Sequence, residues 1–411
     1  MKHLNTYITE YIVKKKLDKP IDSEYHYEYF PETKEELSEN IKECFNNKRY
    51  NLNCIDTSKI TDMSSVFKLI TDAHNVNFDI SDWDVSNVED MQHMFFNCIN
   101  FNCDLSKWDV SNVKDMKYMF YNCYNFDCDL SNWDVSKVTN MISMFYNCKM
   151  FKGKGLEKWP VHNVEDMSSI FMNCINFNCD LSKWDVSKVT NMISMFFGCK
   201  LFDCDLSKWD VSNVEFMNYM FQYCENFNGD LSKWNVSNVE NMYNMFNECT
   251  NFDCDLSNWD VSKVENMFAM FDSCKNFTGE GLENWDVSNV KRMGFMFNNC
   301  KNFNCDLSNW NVSNVNTMER MFYGCEIFEG KGLENWDVSN VDNMSNMFYN
   351  CKKFDCDLSN WNISNVKFME RMFYNCKKFK VDCLENWKIT TKVSKRNIFY
   401  GTKNTPSWYK K

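Results

Sequence analysis

Apolar residues recur along the chain with a fixed spacing, and tryptophan marks each recurrence. From Trp83 to Trp387, successive tryptophans stand 25 or 26 residues apart, and each 26-residue gap has a changed linker, such as Gly153-Lys-Gly-Leu156 in place of Cys-Asp-Leu. A period of this length is typical of a solenoid, whose units bury their apolar faces only against neighbouring units. The tryptophans of the repeat are Trp83, Trp108, Trp133, Trp159, Trp184, Trp209, Trp234, Trp259, Trp285, Trp310, Trp336, Trp361 and Trp387.

Within one coil the apolar spacing changes once. The segment 105–110, Leu-x-x-Trp-x-Val, has the two-residue period of a strand, with Trp108 and Val110 pointing inward. From Val113 to Cys123 the apolar residues fall at intervals of three or four, which predicts a short helix or 3₁₀ turn on the same core. The methionines of this second segment form columns from coil to coil, and their inward spacing favours core filling over metal binding.

The combination of Trp-Asp-Val-Ser-Asn-Val with Met-Phe-x-x-Cys-x-x-Phe resembles the BspA-type leucine-rich repeat family, from residue 80 to about residue 400. The resemblance implies an α/β fold. The fold that the resemblance implies is a right-handed leucine-rich-repeat solenoid with a parallel strand ladder on one face and short helical or 3₁₀ turns on the other. Members of that family are usually surface or host-interaction proteins. With a degenerate first coil at Ile55 we expect about 14 coils, a stack of roughly 65 Å at the spacing of adjacent strands.

The ends of the chain do not follow the repeat. We expect residues 1–50 to form a helical N-terminal cap or attachment segment, residues 51–400 the solenoid, and residues 401–411 a basic tail. Thr33-Lys-Glu-Glu36 is typical of a capping box, and a short insertion near residues 71–75 should loop out. Two helices are predicted in the N-terminal segment, with apolar faces formed by Leu4, Ile8, Tyr11, Ile12 and Val13 and by Leu37, Ile41, Cys44 and Phe45.

Composition narrows the functional classes. The 411 residues carry a net charge of −12, which disfavours nucleic-acid binding because such binding needs clustered lysine and arginine. No apolar run approaches the length of a membrane span, and the first residues do not have the pattern of a secretory signal. These features favour a cytoplasmic or virion-associated location over secretion.

Cysteine is abundant, with 22 residues, and most of them fall into two columns. One column is complete from Cys98 to Cys376, whereas the other has eight members and is replaced by Gly229 in an otherwise normal coil. Such loss favours small buried thiols and a reducing compartment over disulfide bridges within a coil. Bonds between adjacent coils stay open as an alternative. The incomplete second column does not have the spacing of a zinc site.

The sequence contains no recognisable catalytic constellation. The five histidines never share a column, and phosphate-binding loops and nucleophile elbows are missing. Aspartate columns, represented by Asp104 and Asp109, are best explained by turn hydrogen bonding and by charge pairing between coils, with calcium binding as the alternative. We therefore expect a non-enzymatic protein with no catalytic residue, no cofactor and no metal.

The outward positions offer one candidate partner-binding surface. In the coils of Trp209 to Trp285 the polar spacers around the methionines become aromatic, and contiguous exposed aromatics mark interfaces. The alternative surface is the polar face of the predicted strands. We interpret the chain as a protein-binding scaffold of the BspA-like type that mediates host or surface interaction. The alternative is a structural component of a virion, phage particle or surface layer, held by its N-terminal segment. The candidate residues are Phe216, Tyr219, Tyr243, Phe268 and Phe295.

Overall fold

The computed structural model describes residues 27–68, 70–389 and 392–409. In these ranges the chain forms one α-helix, α1 (Lys34–Asn46), followed by a stack of coils joined by parallel backbone pairs from Asp62 to Ser394. None of the helices in these ranges is long and apolar enough to cross a membrane. The helix predicted on residues 4–13 lies outside the described residues. The stack also contains four 3₁₀ helices, Thr71–His74, Leu156–Lys158, Leu333–Asn335 and Val381–Leu384.

Helix α1 covers the first coils of the stack. Thr33 is its N-cap, and the hydroxyl of Thr33 accepts a hydrogen bond from the backbone N–H of Glu36 at 3.2 Å. The ring of Phe45 packs against Phe78 with centroids 5.6 Å apart. The predicted helix and its N-cap are therefore confirmed. The buried residues of α1 are the four that the apolar spacing predicts, Leu37, Ile41, Cys44 and Phe45.

The interior consists of columns of identical side chains, one from each coil. Each of the thirteen repeat tryptophans is at most 5 % exposed. Neighbouring indoles such as Trp108 and Trp133 lie nearly parallel, with centroids 6.4 Å apart and 2° between planes. The indole N–H of Trp133 donates to the backbone oxygen of Leu105 in the preceding coil at 3.2 Å, so burial leaves its polar group satisfied. The predicted inward orientation of the tryptophan, methionine and phenylalanine columns is confirmed.

The hydrogen-bonded ladder between coils lies on the methionine segment, so its predicted place on 105–110 is wrong. Backbone N–H groups of alternate residues donate to the next coil: Met116 to Asn140 at 2.9 Å, and Asn122 to Tyr146 at 2.8 Å. Only single residues meet the pairing pattern of a strand, as Asp115 does with Asn140. The described ranges therefore contain a parallel ladder without extended strands. The hand of the winding stays a prediction.

The ladder segment is built from turns instead of a helix, because its backbone repeatedly enters the left-handed region. Tyr118 has φ 56° and Asn122 has φ 61°, and the N–H of Met119 bonds back to the oxygen of Met116 at 3.1 Å. These i→i−3 bonds give the apolar side chains their helix-like spacing. The remaining N–H groups point along the stack, where they bond the next coil. The segment 105–110 is also turned, since the N–H of Trp108 donates to the oxygen of Leu105 at 3.1 Å.

The C-terminal segment closes the last coil. Trp408 occupies the place that the tryptophan of a further coil would take, and its indole N–H donates to the oxygen of Leu384 at 2.8 Å. Its ring contacts Phe399 with centroids 5.8 Å apart. Residues up to Tyr409 of the segment expected as a basic tail thus pack on the solenoid.

Candidate functional site

Four of the five predicted aromatic residues come together on the ladder face, and we call them the aromatic row: Tyr219, Tyr243, Phe268 and Phe295. Tyr219 and Tyr243 meet edge to face with centroids 5.0 Å apart. Tyr243 stacks on Phe268 at 5.5 Å, and Phe268 contacts Phe295 at 5.2 Å. The row crosses four consecutive coils, so residues distant in sequence form one half-buried surface.

The fifth predicted residue, Phe216, lies beside the row. Its backbone pairs with Asn191 and Asn241 in the adjacent coils, and its side chain is 36 % exposed. In the described part of the chain its ring makes no contact with the rings of the row. Phe216 therefore belongs to the same face but to a separate position.

A shallow groove of about 330 Å³ runs along the row. The side-chain oxygen of Asn241 accepts the N–H of Tyr243 at 3.0 Å, and Asn266 does the same for Phe268 at 3.1 Å. These local turns fix both the asparagine side chains and the backbone that carries each ring. The groove is lined by Asn218, Tyr219, Asn241, Tyr243, Asn266, Phe268 and Arg292.

Two residues of the row have a strained backbone conformation. Tyr219 has φ 63° and Phe295 has φ 60°, a region that costs a bulky residue about 1–3 kcal/mol. Asparagine enters this region more readily, and it occupies the same position of other coils at Asn244 and Asn346. The fold does not require an aromatic side chain here. The same position holds a tyrosine outside the row as well, Tyr118 with φ 56°, so the backbone tolerates an aromatic ring here without requiring one.

Two arginines close one end of the row. The guanidinium of Arg292 lies 5.9 Å from the ring centroid of Phe268, and that of Arg320 lies 5.2 Å from Phe295. Both distances are within the range of cation–π attraction. The sequence analysis did not predict these two residues. A signal was present, because the chain has only five arginines and these two lie in the coil of Phe295 and in the next coil.

Beside the row, one outward column changes from aromatic to polar over four coils, and we call these four residues the polar inset. In flanking coils the same position forms stacks, such as Tyr121 on Tyr146 at 4.3 Å and Tyr349 on Tyr374 at 4.5 Å. The inset follows each ring of the row by three or four residues; its three amide side chains are buried and its fourth member is half-buried. The polar inset consists of Gln222, Asn247, Asp272 and Asn298.

Asp272 is the charged member of the polar inset. Its carboxylate accepts hydrogen bonds from the Asn298 amide at 2.7 Å and from the Ser273 hydroxyl at 2.9 Å. Burial raises the pKa of Asp272. The neighbouring carboxylate of Glu248 adds to this shift, while the two hydrogen bonds and the guanidinium of Arg320 oppose it. The inset therefore holds a carboxylate whose charge is costly in the folded state.

We expect Asp272→Asn to raise the melting temperature at neutral pH. A carboxyl whose folded-state pKa lies above its ordinary value of 3.8 loses stability as pH rises through that interval, because the unfolded chain ionises first. The gain in the variant should therefore shrink as pH falls toward 4. Melting curves across this pH range measure it. Asp210→Asn, at a position where another coil has Asn235, is the control and should leave the neutral-pH melting temperature unchanged.

The opposite, tryptophan-bearing surface is occupied by its own turns. Ser106 and Ser111 donate their N–H groups to Asp104 at 2.9 Å and Asp109 at 3.0 Å. Hydrogen bonds from the backbone and side chain of Ser106 lower the pKa of Asp104, and those from the side chain and backbone of Ser111 lower the pKa of Asp109. Between coils, charge pairs recur, such as Lys152 with Asp127 at 2.6 Å and Lys154 with Asp129 at 2.7 Å. The predicted turn bonding is confirmed for both aspartate columns, and the predicted charge pairing is confirmed for two members of the first column, Asp129 and Asp306.

This surface also has a depression of about 330 Å³, in the coils of Trp336 and Trp361. The indole of Trp336 is only 4 % exposed, so the depression offers little aromatic area. The ladder face is the better candidate. The depression is lined by Glu334, Asn335, Trp336, Asp337, Asn360 and Asn362.

The complete cysteine column has a structural role. The thiol of Cys123 donates to the backbone oxygen of Phe95 at 3.1 Å, and that of Cys249 to Phe221 at 2.9 Å; the pattern continues to Cys376. Burial raises the pKa of these thiols, which suppresses thiolate chemistry. All 22 cysteines are free thiols in the structure. Within the described ranges, histidine, cysteine and acidic side chains do not form a group of three that could hold a metal ion.

Fold and surface together define the class: a repeat solenoid with a uniform closed interior and one specialised stretch of its outer face. The chain belongs to the family described as "Mycoplasma protein of unknown function, DUF285", which matches residues 35–159, 139–258, 241–333 and 306–409. No curated protein matches the chain.

Among solved structures, the chain is similar to a leucine-rich repeat protein from Eubacterium ventriosum ATCC 27560, whose crystal structure was determined at 2.50 Å resolution. The identity is 15 %, and the alignment covers 76 % of this chain and 85 % of that chain, with a TM-score of 0.36. At a TM-score this low, the assignment of the fold depends on the contacts described above.

Proposed function

We propose that this chain is a non-enzymatic protein-binding scaffold of the BspA-like surface type, and that the aromatic row and its groove bind the partner. One observation carries the proposal. Four consecutive coils place aromatic side chains at outward positions, where the solenoid needs none. Two of these side chains accept strained backbone that asparagine adopts more readily.

The composition of the groove favours a protein as the partner. Aromatic residues and arginine dominate the energetics of protein interfaces, and both occur here with asparagine amides as hydrogen-bonding groups. Tyr243 and Phe268 stack on each other with 24° between their planes, so their faces are turned along the solenoid and their edges outward. Such an array can pack against protein side chains, whereas a flat ligand would require an exposed ring face.

Capture of protein partners from cells that naturally contain the chain tests the proposal. Tyr243→Ala and Phe268→Ala should each lower the recovery of the specific partner by roughly tenfold or more, as expected for central aromatic residues of an interface. The melting temperature should stay nearly unchanged, because both rings lie outside the closed interior.

Tyr349→Ala is the matched control, because Tyr349 is a half-buried tyrosine of a ring stack on the same face but far from the row. Recovery by this variant should equal that of the wild type. A partner retained fully by both Tyr243→Ala and Phe268→Ala would contradict the assignment of the binding surface.

A further inference from the structure

Three carboxylates precede rings of the aromatic row by three or four residues in the sequence. Glu215, Glu240 and Glu265 occupy the same position in consecutive coils and are all exposed. The backbone N–H of Glu240 donates to the oxygen of Glu215 at 3.1 Å, and that of Glu265 to Glu240 at 2.9 Å. Side chains at this position therefore lie one coil spacing apart, and we call the three the acidic edge.

In two other pairs of neighbouring coils this position contains opposite charges that neutralise each other. Lys114 pairs with Glu89 at 2.7 Å, and Lys367 pairs with Asp342 at 3.2 Å. In the acidic edge only Glu265 has such a partner, Lys291 at 2.8 Å. Glu215 and Glu240 make no ion pair with any side chain of the described residues. Three like charges on adjacent coils repel one another, so a cationic occupant would relieve a cost that the free protein carries.

The charge around the row differs between its two ends. Ten acidic and three basic side chains lie between residues 214 and 277, which includes the coils of Tyr219, Tyr243 and Phe268. The next coil contributes Arg292 to the groove lining, and the one after it contributes Arg320 above Phe295. The coils of the row are thus acidic in sum, with some of these carboxylates on the tryptophan-bearing surface, whereas the charged residue in the groove lining itself is Arg292 at one end.

The dimensions of the row suit an extended peptide. Ring centroids along it are separated by 5.0 and 5.5 Å from Tyr219 to Phe268. Residues on one face of an extended chain repeat about every 6.7 Å, so two same-facing side chains cover these three rings. A lysine or arginine stem can pack on an aromatic edge while its charged head reaches a carboxylate at the border.

As an extension that rests on the proposed function, we propose that the occupant of the groove is an extended basic segment of a partner protein. Its lysine or arginine side chains pack against Tyr219 and Tyr243 and pair with Glu215 and Glu240. An acidic group of the same segment meets Arg292. Nucleic acid does not fit this surface, because its phosphates would lie against the acidic edge.

Fluorescence anisotropy with labelled synthetic peptides tests this chemistry. The basic probe is an eight-residue peptide in which lysine alternates with serine, and the matched probes replace lysine by glutamine or by glutamate. The basic peptide should bind the intact chain, with affinity that falls as salt rises, because exposed charges are screened beyond about 8 Å at physiological ionic strength. The glutamine and glutamate peptides should bind at least tenfold more weakly.

Variants assign the binding to the groove. Glu215→Gln and Glu240→Gln should each weaken the basic peptide by roughly two- to fivefold, the range of an exposed ion pair. Tyr243→Ala should weaken it by roughly tenfold or more. Glu165→Gln is the matched control, since Glu165 occupies the same exposed position two coils before the row and outside the coils that line the groove, and it should change nothing.

The outcomes that would contradict the proposal can be distinguished from one another. If the glutamine peptide binds as tightly as the lysine peptide, and Tyr243→Ala abolishes this binding, the occupant is not a basic segment. The proposed protein-binding function would then still stand. If Glu165→Gln weakens binding of the basic peptide as much as Glu240→Gln does, the peptide is attracted by the overall negative charge of the protein and not by this groove. That result would overturn the proposed site. A lack of binding by all three peptides would overturn the proposal.

The chain's own basic end, with Lys388, Lys392, Lys395 and Arg396, is the competing occupant. Sedimentation at increasing concentration reports this alternative. Self-association that disappears in Glu240→Gln would identify a second copy as the occupant and overturn the proposal of a separate partner. A monomer at all concentrations, together with basic-peptide binding, supports it.

Discussion

Phe246→Ala should lower the free energy of unfolding by about 3–5 kcal/mol, the range for removing a buried phenylalanine. Phe246 is fully buried and stacks on Phe221 and Phe271, each at 5.6 Å, and on Phe252 at 4.1 Å. The cavity would interrupt the central ring column in the middle of the stack. Because each coil contacts only its neighbours, the loss cannot be shared over the molecule. Urea unfolding followed by tryptophan fluorescence measures it.

Phe216→Ala is the control for this experiment. Its ring is partly exposed and outside the column, so we expect a change of about 0.5 kcal/mol or less. Equal effects of the two substitutions would contradict the assignment of Phe246 to a closely packed interior.

Gly155→Ala should destabilise the protein by about 2–5 kcal/mol, from backbone strain and overpacking together. Gly155 has φ 96°, and a Cβ atom there would lie 2.2 Å from the backbone nitrogen of Ser131 and 2.6 Å from the carbonyl carbon of Leu130. Both atoms belong to the backbone of the preceding coil, so no rotamer change relieves the clash. Thermal or urea unfolding gives the magnitude.

Gly198→Asn provides the comparison at a second left-handed glycine. Gly198 has φ 73°, and the nearest atom to an added Cβ is the side-chain oxygen of Asn173, which can move. Most coils have asparagine at this position, where Asn122 and Asn147 form an amide ladder at 2.9 Å. We expect little change in stability. A large loss of stability in Gly198→Asn, together with no loss in Gly155→Ala, would contradict this explanation.

Much of the fold follows from the repeat alone. A tryptophan every 25 or 26 residues, with methionine and phenylalanine columns in phase, allows only a stack whose columns point inward. Helix α1 was equally predictable, because Thr33 stands immediately before an apolar face of helical period. These features depend on hydrophobic patterning and capping, which act over short stretches of sequence.

The ladder was misplaced because hydrophobic spacing does not reveal the sign of φ. The interval of three between Met116 and Met119 arises from an i→i−3 turn, and it looks the same as one turn of a helix. One signal was present: the residue before the column cysteine is asparagine or glycine in nine of the twelve coils, as at Asn122, Asn147 and Gly198. These residue types favour the left-handed region, so this column could have indicated turns.

The aromatic row could be predicted, whereas its surroundings could not. An aromatic spacer is conspicuous against polar neighbours, and four of the five predicted residues meet in the structure. The acidic edge and the contacts of Arg292 depend on which residues of different coils become neighbours. That register follows from the ladder on the methionine segment, so the misplaced ladder concealed the pairing of rings with charges.

The column of buried cysteines gives the molecule an internal set of chemical probes. Each cysteine of the complete column, from Cys98 to Cys376, has no exposed surface in the folded chain. A small alkylating reagent can therefore reach a given sulfur only after its own coil has separated from the adjacent ones. Mass spectrometry of the labelled peptides would then assign a rate of opening to every coil from Trp83 to Trp361, without any engineered label.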